Sequence, residues 1–467
     1  MSQPEDFGPH GHDPLAVPLN RFDQLLEIFY SAEKKAQNRL LGIEYEMFAH
    51  DLEHNRPLSY EGPTSISQLF LHLAQKSALT TDPFIPVMED QNIVALSCQR
   101  ATIALEPGGQ IEIAAKPHAT LEDVNKIFLD VVNNLQQAAQ DLDIKLFAVG
   151  IHPLAQQNDM AQVKKSRYKI MRSYMKSMPG LGLDMMKRSC SIQLNLDYKN
   201  QEDFVLKTRF ASRLVPFLSL LCSSAAFIDG QASPYAIPRG HIWQKTDPDR
   251  TGIPSIIFDP NFGYESWINW ALDVPMYFIR RGKNYINVAG CSFRDFMAHG
   301  LKGEQATVRD FLDHLSTIFT EVRLKPYIEI RSPDSLPASY VCALSTLVWT
   351  LFYDEHAFNQ VFSTLESLDH PQLIKLHQEI IQHGRTSLWQ GIPVLATIGT
   401  IIEYAKNQLK LTSSSHNHHE NYLQPFEQII SSNMTVADVV KTKFAAIDKQ
   451  NILAIIDMLD VTKRTVY

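Results

Sequence analysis

Cysteine is scarce in this chain: five in 467 residues, at 98, 190, 222, 291 and 342, with no CxxC pair. Their odd number and wide spacing argue against a secreted disulfide framework and a zinc site, and predict buried free thiols. Basic charge is also in deficit, 43 Lys and Arg against 51 Asp and Glu, for a net charge of −8. No basic stripe interleaved with aromatics occurs, so no nucleic-acid partner is expected. Long apolar runs are missing; the stretch around Leu214 to Phe227 is too short for a membrane span and is broken by Ser223 and Ser224. The start, MSQPEDFGPHGHDPLAVPLN, has neither the basic nor the apolar region of a signal peptide, and a cytoplasmic enzyme is the expectation. Glycine-rich cradles are absent as well: no GxxxxGK[ST], no GxGxxG after a strand, no GxSxG elbow, no kinase catalytic loop. A nucleotide, if used, must be held by metals and arginines.

What is present is a repeated local pattern. Gly42-Ile43-Glu44-Tyr45-Glu46-Met47 alternates carboxylates with apolar residues. The run Ile103 to Ile113 carries Glu106 before Pro107-Gly108-Gly109 and Glu112 after it. Ser191-Ile192-Gln193-Leu194-Asn195-Leu196 and Tyr327-Ile328-Glu329-Ile330-Arg331 alternate in the same way. Successive side chains on a strand point to opposite faces, so each segment reads as a strand with one apolar face and one face of Glu, Gln, Asn or Arg. Taken singly, each glutamate is most simply solvent-facing. Four segments with one grammar argue for a shared sheet on which Glu44, Glu46, Glu106, Glu112 and Glu329 converge. Packed carboxylates repel and raise one another's pKa unless cations sit among them. Oxygen-only ligands favour Mg²⁺ or Mn²⁺, which commonly hold phosphates, and metal, phosphate and arginine together equip a protein for phosphoryl transfer.

Along the chain, residues 1–19 read as a flexible lead-in and 20–467 as one domain, mostly helical from about 335. Asn20 is placed to cap a helix with Asp23 in its first turn and Phe22, Leu25, Leu26 and Phe29 as its stripe. Strands are predicted at Leu40 to Phe48 and Phe147 to His152, and helices at 64–76, from Thr120 on, and from Phe204 to Phe227. Pro107-Gly108-Gly109 fits either a bend that brings backbone to a ligand or a hairpin turn. Lys164 to Arg172 is a basic run, either a solvated helix face or an anion anchor. Arg239 to Gly252 lacks periodicity and reads as a functional loop. The tract around His416, His418 and His419 reads as a solvated loop open to adventitious metal.

Gly42-Ile43-Glu44-Tyr45-Glu46, Leu105-Glu106-Pro107-Gly108-Gly109-Gln110-Ile111-Glu112, Arg167-Tyr168-Lys169-Ile170-Met171-Arg172, Gln193-Leu194-Asn195-Leu196-Asp197, His241-Ile242-Trp243 and Glu321-Val322-Arg323-Leu324-Lys325 together resemble the glutamate–cysteine ligases of the plant and proteobacterial type. The resemblance runs in order from about 40 to 355. It implies an α+β fold with a glutamine synthetase-like catalytic core, a curved antiparallel sheet (half-funnel) flanked by helices. It implies ATP-dependent joining of the L-glutamate γ-carboxylate to L-cysteine through a γ-glutamyl phosphate, the first step of glutathione synthesis. By resemblance, Glu44, Glu46, Glu106, Glu112 and Glu329 are Mg²⁺ (or Mn²⁺) ligands. Gln193 and Asn195 belong to the substrate face, Arg167, Arg172 and Arg239 to substrate binding, and Arg250 and Arg331 to phosphate stabilisation. Glutathione is implied as a feedback ligand; monomer and homodimer both remain open. Two departures stand out: Gly240, where the family often has Ser, and Ser332-Pro333-Asp334-Ser335, where Gly-Ala-Asp-Gly-Gly is usual. Three rival readings share parts of this equipment. One is a ligase for another amine. Another is a phosphagen kinase, which the Leu-Glu-Pro-Gly-Gly-Gln context opposes. The last is a non-catalytic regulatory homologue, which should have lost glutamates that are all present.

Overall fold

Alternation of apolar and polar residues builds ten strands into a single sheet, in a computed structural model that describes residues 15–412 and 418–467. In chain order they are β1 (Leu41–Asp51), β2 (Arg56–Pro57), β3 (Ile85–Glu89), β4 (Asn92–Ser97), β5 (Ala101–Leu105), β6 (Ile111–His118), β7 (Ile144–Phe147), β8 (Ile192–Leu196), β9 (Val322–Leu324) and β10 (Ile328–Ile330). The hydrogen-bonded order is β9-β10-β8-β1-β6-β5-β4-β3, every pair antiparallel, while β2 and β7 pair with the far end of β1. The expected α+β class and antiparallel sheet are therefore the ones adopted.

The apolar face carries Ile43, Tyr45, Met47, Ile111, Ile113, Ile192, Leu194, Ile328 and Ile330, all buried. Against it lie the helices Leu121–Gln140, Gln201–Leu221 and Ala338–Tyr353. Tyr45 meets Phe128 of the first of these edge to face, ring centroids 5.4 Å apart. That helix starts at Thr120, whose hydroxyl accepts the Asp123 N–H at 3.2 Å. Beyond 335 the chain is largely helical, from Ala338–Tyr353 to Ile452–Met458.

Several local expectations are corrected. The first helix, Phe22–Tyr30, is capped at Arg21, not Asn20; the Gln24 side chain reaches back to accept the N–H groups of both Asn20 and Arg21. Of the lead-in expected at 1–19, residues 1–14 lie outside the described residues, and 15–19 are held through Leu19 N–H to Ala306 O, Val308 N–H to Val17 O and Arg309 N–H to Leu15 O. The strand predicted at Phe147 to His152 lies earlier, at β7, because its pairing partner is the distal half of β1. Pro107-Gly108-Gly109 forms a hairpin turn, closed by Glu106 N–H to Gln110 O at 2.9 Å. Its backbone approaches protein: a Cβ at Gly108 would lie 2.2 Å from the Lys187 carbonyl oxygen. Arg239 to Gly252 is not all loop, since Pro238 opens the helix Pro238–Gln244. Gly240 lets that helix pack closely, as a Cβ there would lie 2.9 Å from Ile381. His416 falls outside the described residues; His418 meets Glu420 at 3.3 Å.

Candidate active site

Register decides which side chains meet. Residues opposite one another on antiparallel strands share a face. Glu44 opposes Gln193, Glu46 opposes Glu112, and Glu329 opposes Asn195 on one side and Arg323 on the other. Glu44, Glu46, Glu106, Glu112, Gln193 and Arg331 line one cavity, joined by Arg167 and Tyr168 from the helix Ser166–Ser177 and by Phe319, Arg323 and Lys325. This cavity measures about 120 Å³. A second cavity of about 350 Å³ adjoins it, sharing Arg167, Phe278, Ser316 and Lys325 and walled by Val87, Val94, Ala95 and Tyr285.

One half of the first cavity is acidic. Glu46 accepts the Ser191 N–H at 2.6 Å and the Gln193 amide at 3.2 Å. Burial, with the Glu106 carboxylate beside it, raises its pKa to about 7. Burial and then Glu106, Glu44 and Glu46 push Glu112 well above the usual carboxylate range. Glu44 accepts the Asn195 amide at 2.9 Å. Glu106 is fixed from behind: the Lys165 ammonium and the Tyr168 hydroxyl both donate to the Leu105 carbonyl at 2.8 Å, and Tyr168 also reaches Glu106 at 3.3 Å. Burial, then Arg167, lowers the Lys165 pKa to about 8.

The other half is basic. Glu329 is fully buried and ion-paired to Arg323, to Lys325 at 3.3 Å and to Arg331 at 3.1 Å. Burial disfavours its charge, but these three cations hold its pKa well below normal. Three cations share this one ion-paired carboxylate, with the Glu44 and Glu46 carboxylates also within their electrostatic reach. Arg331 also donates to Gln193 Oε1, and Gln193 donates to Glu46, so one amide couples the two halves.

The residues suit a hard cation in chemistry: oxygen donors only, with proton affinities that repulsion has raised. They do not form a ready cage. Among the described residues no three carboxylate, His or Cys groups stand so that they could hold a metal as they are. Glu329 differs from the other glutamates in already having three cationic partners, with which any metal would compete.

Three arginines lie outside the cavity lining. Arg250, expected at the phosphate, is fully buried and spends its donors on Asp247 (2.7 Å), the Thr317 carbonyl (3.2 Å) and the Pro275 carbonyl (2.8 Å). It braces the backbone at Thr317, a lining residue, and does not face the cavity. Arg239, expected at a substrate carboxylate, is buried and donates to the carbonyls of Arg331 and Ser332 at 3.1 and 3.0 Å. It holds the segment that presents Arg331. Arg172 follows the lining residue Met171 on its helix and so points about 100° away. The segment lacking the usual glycines is held by its own side chains: Asp334 accepts the Ser224 N–H at 3.2 Å, and the Ser335 hydroxyl donates to the Glu46 carbonyl.

Arg323, Lys325 and Tyr168 are site residues to which the sequence reading gave no role. For Arg323 and Lys325 the signal existed, since Glu321-Val322-Arg323-Leu324-Lys325 alternates like the other four strands. For Ser316 and Thr317 the sequence offers none.

Among the described residues no helix is long and apolar enough to cross a membrane. The family model described as Glutamate-cysteine ligase family 2 (GCS2) matches residues 40–443. The chain is 33% identical over 427 residues to a chloroplastic glutamate–cysteine ligase of Medicago truncatula, covering 90% of this chain and 81% of that one. It is 32% identical over 430 residues to chloroplastic glutamate–cysteine ligase B of Oryza sativa subsp. japonica, covering 91% and 84%. A crystal structure of a bifunctional glutathione synthetase from Pasteurella multocida aligns with a TM-score of 0.49 and 11% identity, over 94% of this chain and 53% of that one. With the family model spanning nearly the whole described sheet and its cavity, the chain belongs to glutamate-cysteine ligase family 2.

Proposed function

We propose that this protein joins the γ-carboxylate of L-glutamate to the amine of L-cysteine at the expense of ATP, giving γ-glutamylcysteine, ADP and phosphate, as the first step of glutathione biosynthesis. The observation that carries the reading is one cavity in which a carboxylate wall faces a cationic wall, within a chain of this family. Such a pairing suits a magnesium-bound phosphate: carboxylates on the metal side, arginine and lysine on the phosphate side. Glu46, Glu106 and Glu112 are the proposed ligands, with Glu44 and Glu329 behind them, and a bound Mg²⁺ would supply positive charge to the phosphate oxygens. Arg323, Lys325 and Arg331 then meet the transferred phosphoryl group. Arg167 lines both cavities, so it is assigned to the phosphate chain between them, with the base in the larger one. Cysteines that all remain unpaired agree with a reducing compartment, proposed as the cytoplasm. Glutathione is proposed to bind as a feedback ligand, and titration calorimetry at millimolar glutathione showing no heat would remove that part.

The test is ADP release with Mg²⁺, ATP and glutamate, with and without cysteine, and the mass of the product. Cysteine-dependent turnover yielding γ-glutamylcysteine supports the reading. Turnover only with another amine keeps the chemistry and overturns the acceptor. No turnover with any amine overturns both.

A further inference from the structure

Glu321 is a carboxylate that the arrangement above leaves unused. It lies at the bend just before β9, fixed by two backbone hydrogen bonds: its N–H donates to Gly252 O at 2.9 Å and its carbonyl accepts the Arg331 N–H at 3.0 Å. Along this stretch Thr320, Val322 and Leu324 are fully buried on the apolar side, while Phe319, Arg323 and Lys325 line the catalytic cavity. The hydrogen bond from Arg331 pairs Glu321 with a cavity-lining residue, so the two share a face, with Glu321 beside the residues that line the cavity rather than among them. It is half-buried, and the charges that act on its carboxylate are those of Arg239 and Arg331.

The cations nearest to it are committed elsewhere. Arg331 serves Glu329 and Gln193, and Arg239 serves two carbonyls. The cross-strand partner of Glu321, Arg331, lies over the Trp243 ring at 5.6 Å, and Trp243 packs edge to face on Phe319 at 5.9 Å. The Trp243 indole N–H is buried without a partner. Burial raises the Glu321 pKa against the pull of Arg239 and Arg331, the direction that makes a carboxylate a stronger base.

We propose that Glu321 is the general base that receives a proton from the acceptor amine. The inference rests on the ligase reading and deepens it. An amine arrives as an ammonium, which has no lone pair to attack with. One proton passes from its nitrogen to the Glu321 carboxylate. The freed lone pair forms the C–N bond at the γ-carbonyl carbon of the acyl phosphate while the C–O bond to phosphate breaks. A second proton leaves nitrogen with the departing phosphate, and the third stays on the amide. A carboxylate locked in an ion pair would be a poor base; the two arginines near Glu321 are instead held by Glu329, Gln193 and backbone carbonyls.

The experiment compares wild type, Glu321→Gln and Glu321→Asp in the intact protein. Two acceptors are used: cysteine, and hydroxylamine, whose nitrogen is already unprotonated at neutral pH. Formation of the acyl phosphate is followed separately, by glutamate-dependent scrambling of the β,γ-bridge oxygen of ATP with no acceptor present. The expected result is a fall of about 10²-fold or more in kcat with cysteine for Glu321→Gln, scrambling within about threefold of wild type, a much smaller loss with hydroxylamine, and partial recovery in Glu321→Asp. Equal loss of scrambling and of both acceptors would show a structural role and overturn the assignment, as would cysteine turnover within about threefold of wild type. If wild type makes no γ-glutamylcysteine, the ligase reading has failed, and that is known before any variant is compared.

Discussion

Glu46→Gln provides a test of the electrostatics in which the expected sign changes with pH. Burial and Glu106 lift the Glu46 pKa from about 4.5 to about 7. A carboxyl with a raised folded-state pKa contributes stability that is fully present below the unfolded value and is lost as pH rises through the folded one. Here the window runs from about 4.5 to about 7, and by about pH 8 the protein without ligands has lost roughly 3 kcal/mol. The variant is neutral and escapes that loss. Its amide oxygen still accepts the Ser191 N–H, but its NH₂ opposes the Gln193 amide, and that lost hydrogen bond costs about 1 kcal/mol. Without Mg²⁺ or nucleotide, Glu46→Gln should therefore be about 2 kcal/mol more stable than wild type at about pH 8 and about 1 kcal/mol less stable at about pH 4. Urea unfolding at the two pH values measures this from the midpoint at constant slope. Ligase turnover should fall at least 10²-fold in the same variant, the pattern of a residue kept for function at the expense of stability. A difference of the same sign and size at both pH values would refute the reasoning.

Glu329→Gln should act oppositely, destabilising by about 3–5 kcal/mol at neutral pH, because Arg323, Lys325 and Arg331 lose their shared counter-charge. The wild-type contribution is present above the unfolded carboxylate pKa and is lost as pH falls through the depressed folded one, so the variant should show a flatter acid limb in thermal melts. Arg250→Lys is expected to lower thermal stability, since one ammonium cannot serve Asp247, Thr317 and Pro275 together, while the folded enzyme keeps KM for ATP and glutamate within about twofold. An unchanged melting temperature with a large loss in kcat would return Arg250 to the catalytic group. Gly108→Ala should cost several kcal/mol or abolish soluble expression, because its Cβ meets backbone atoms of Lys187 at 2.2 to 2.8 Å and neither chain segment is free to yield; a melting temperature equal to wild type would contradict this.

Strand segments carried the legible part of the site. Glu44 to Glu46, Gln193, Glu112 and Glu329 were placed on one face by a period of two alone, because slipping a strand by one residue would bury its carboxylates in the apolar core. Helix caps such as Thr120 and the apolar stripe of the helix it opens were readable for similar reasons, being local rules of spacing. Arginine roles were not. Arg239 and Arg250 sit in a segment without periodicity, where the side-chain direction depends on which carbonyls the fold happens to bring near.

By itself the sequence determined strands with one apolar and one carboxylate-rich face, and which motifs tie the chain to its family, whose resemblance implied the antiparallel sheet. Only the tertiary structure decided that β9 pairs with β10, turning Arg323, Lys325 and Arg331 onto Glu329, and that Arg239 and Arg250 brace backbone behind the cavity. Alternation is a property of neighbouring residues and survives in one dimension. Ion pairing between residues set at a β-turn's distance, or a hydrogen bond across 67 positions as from Arg250 to the Thr317 carbonyl, depends on where the chain returns.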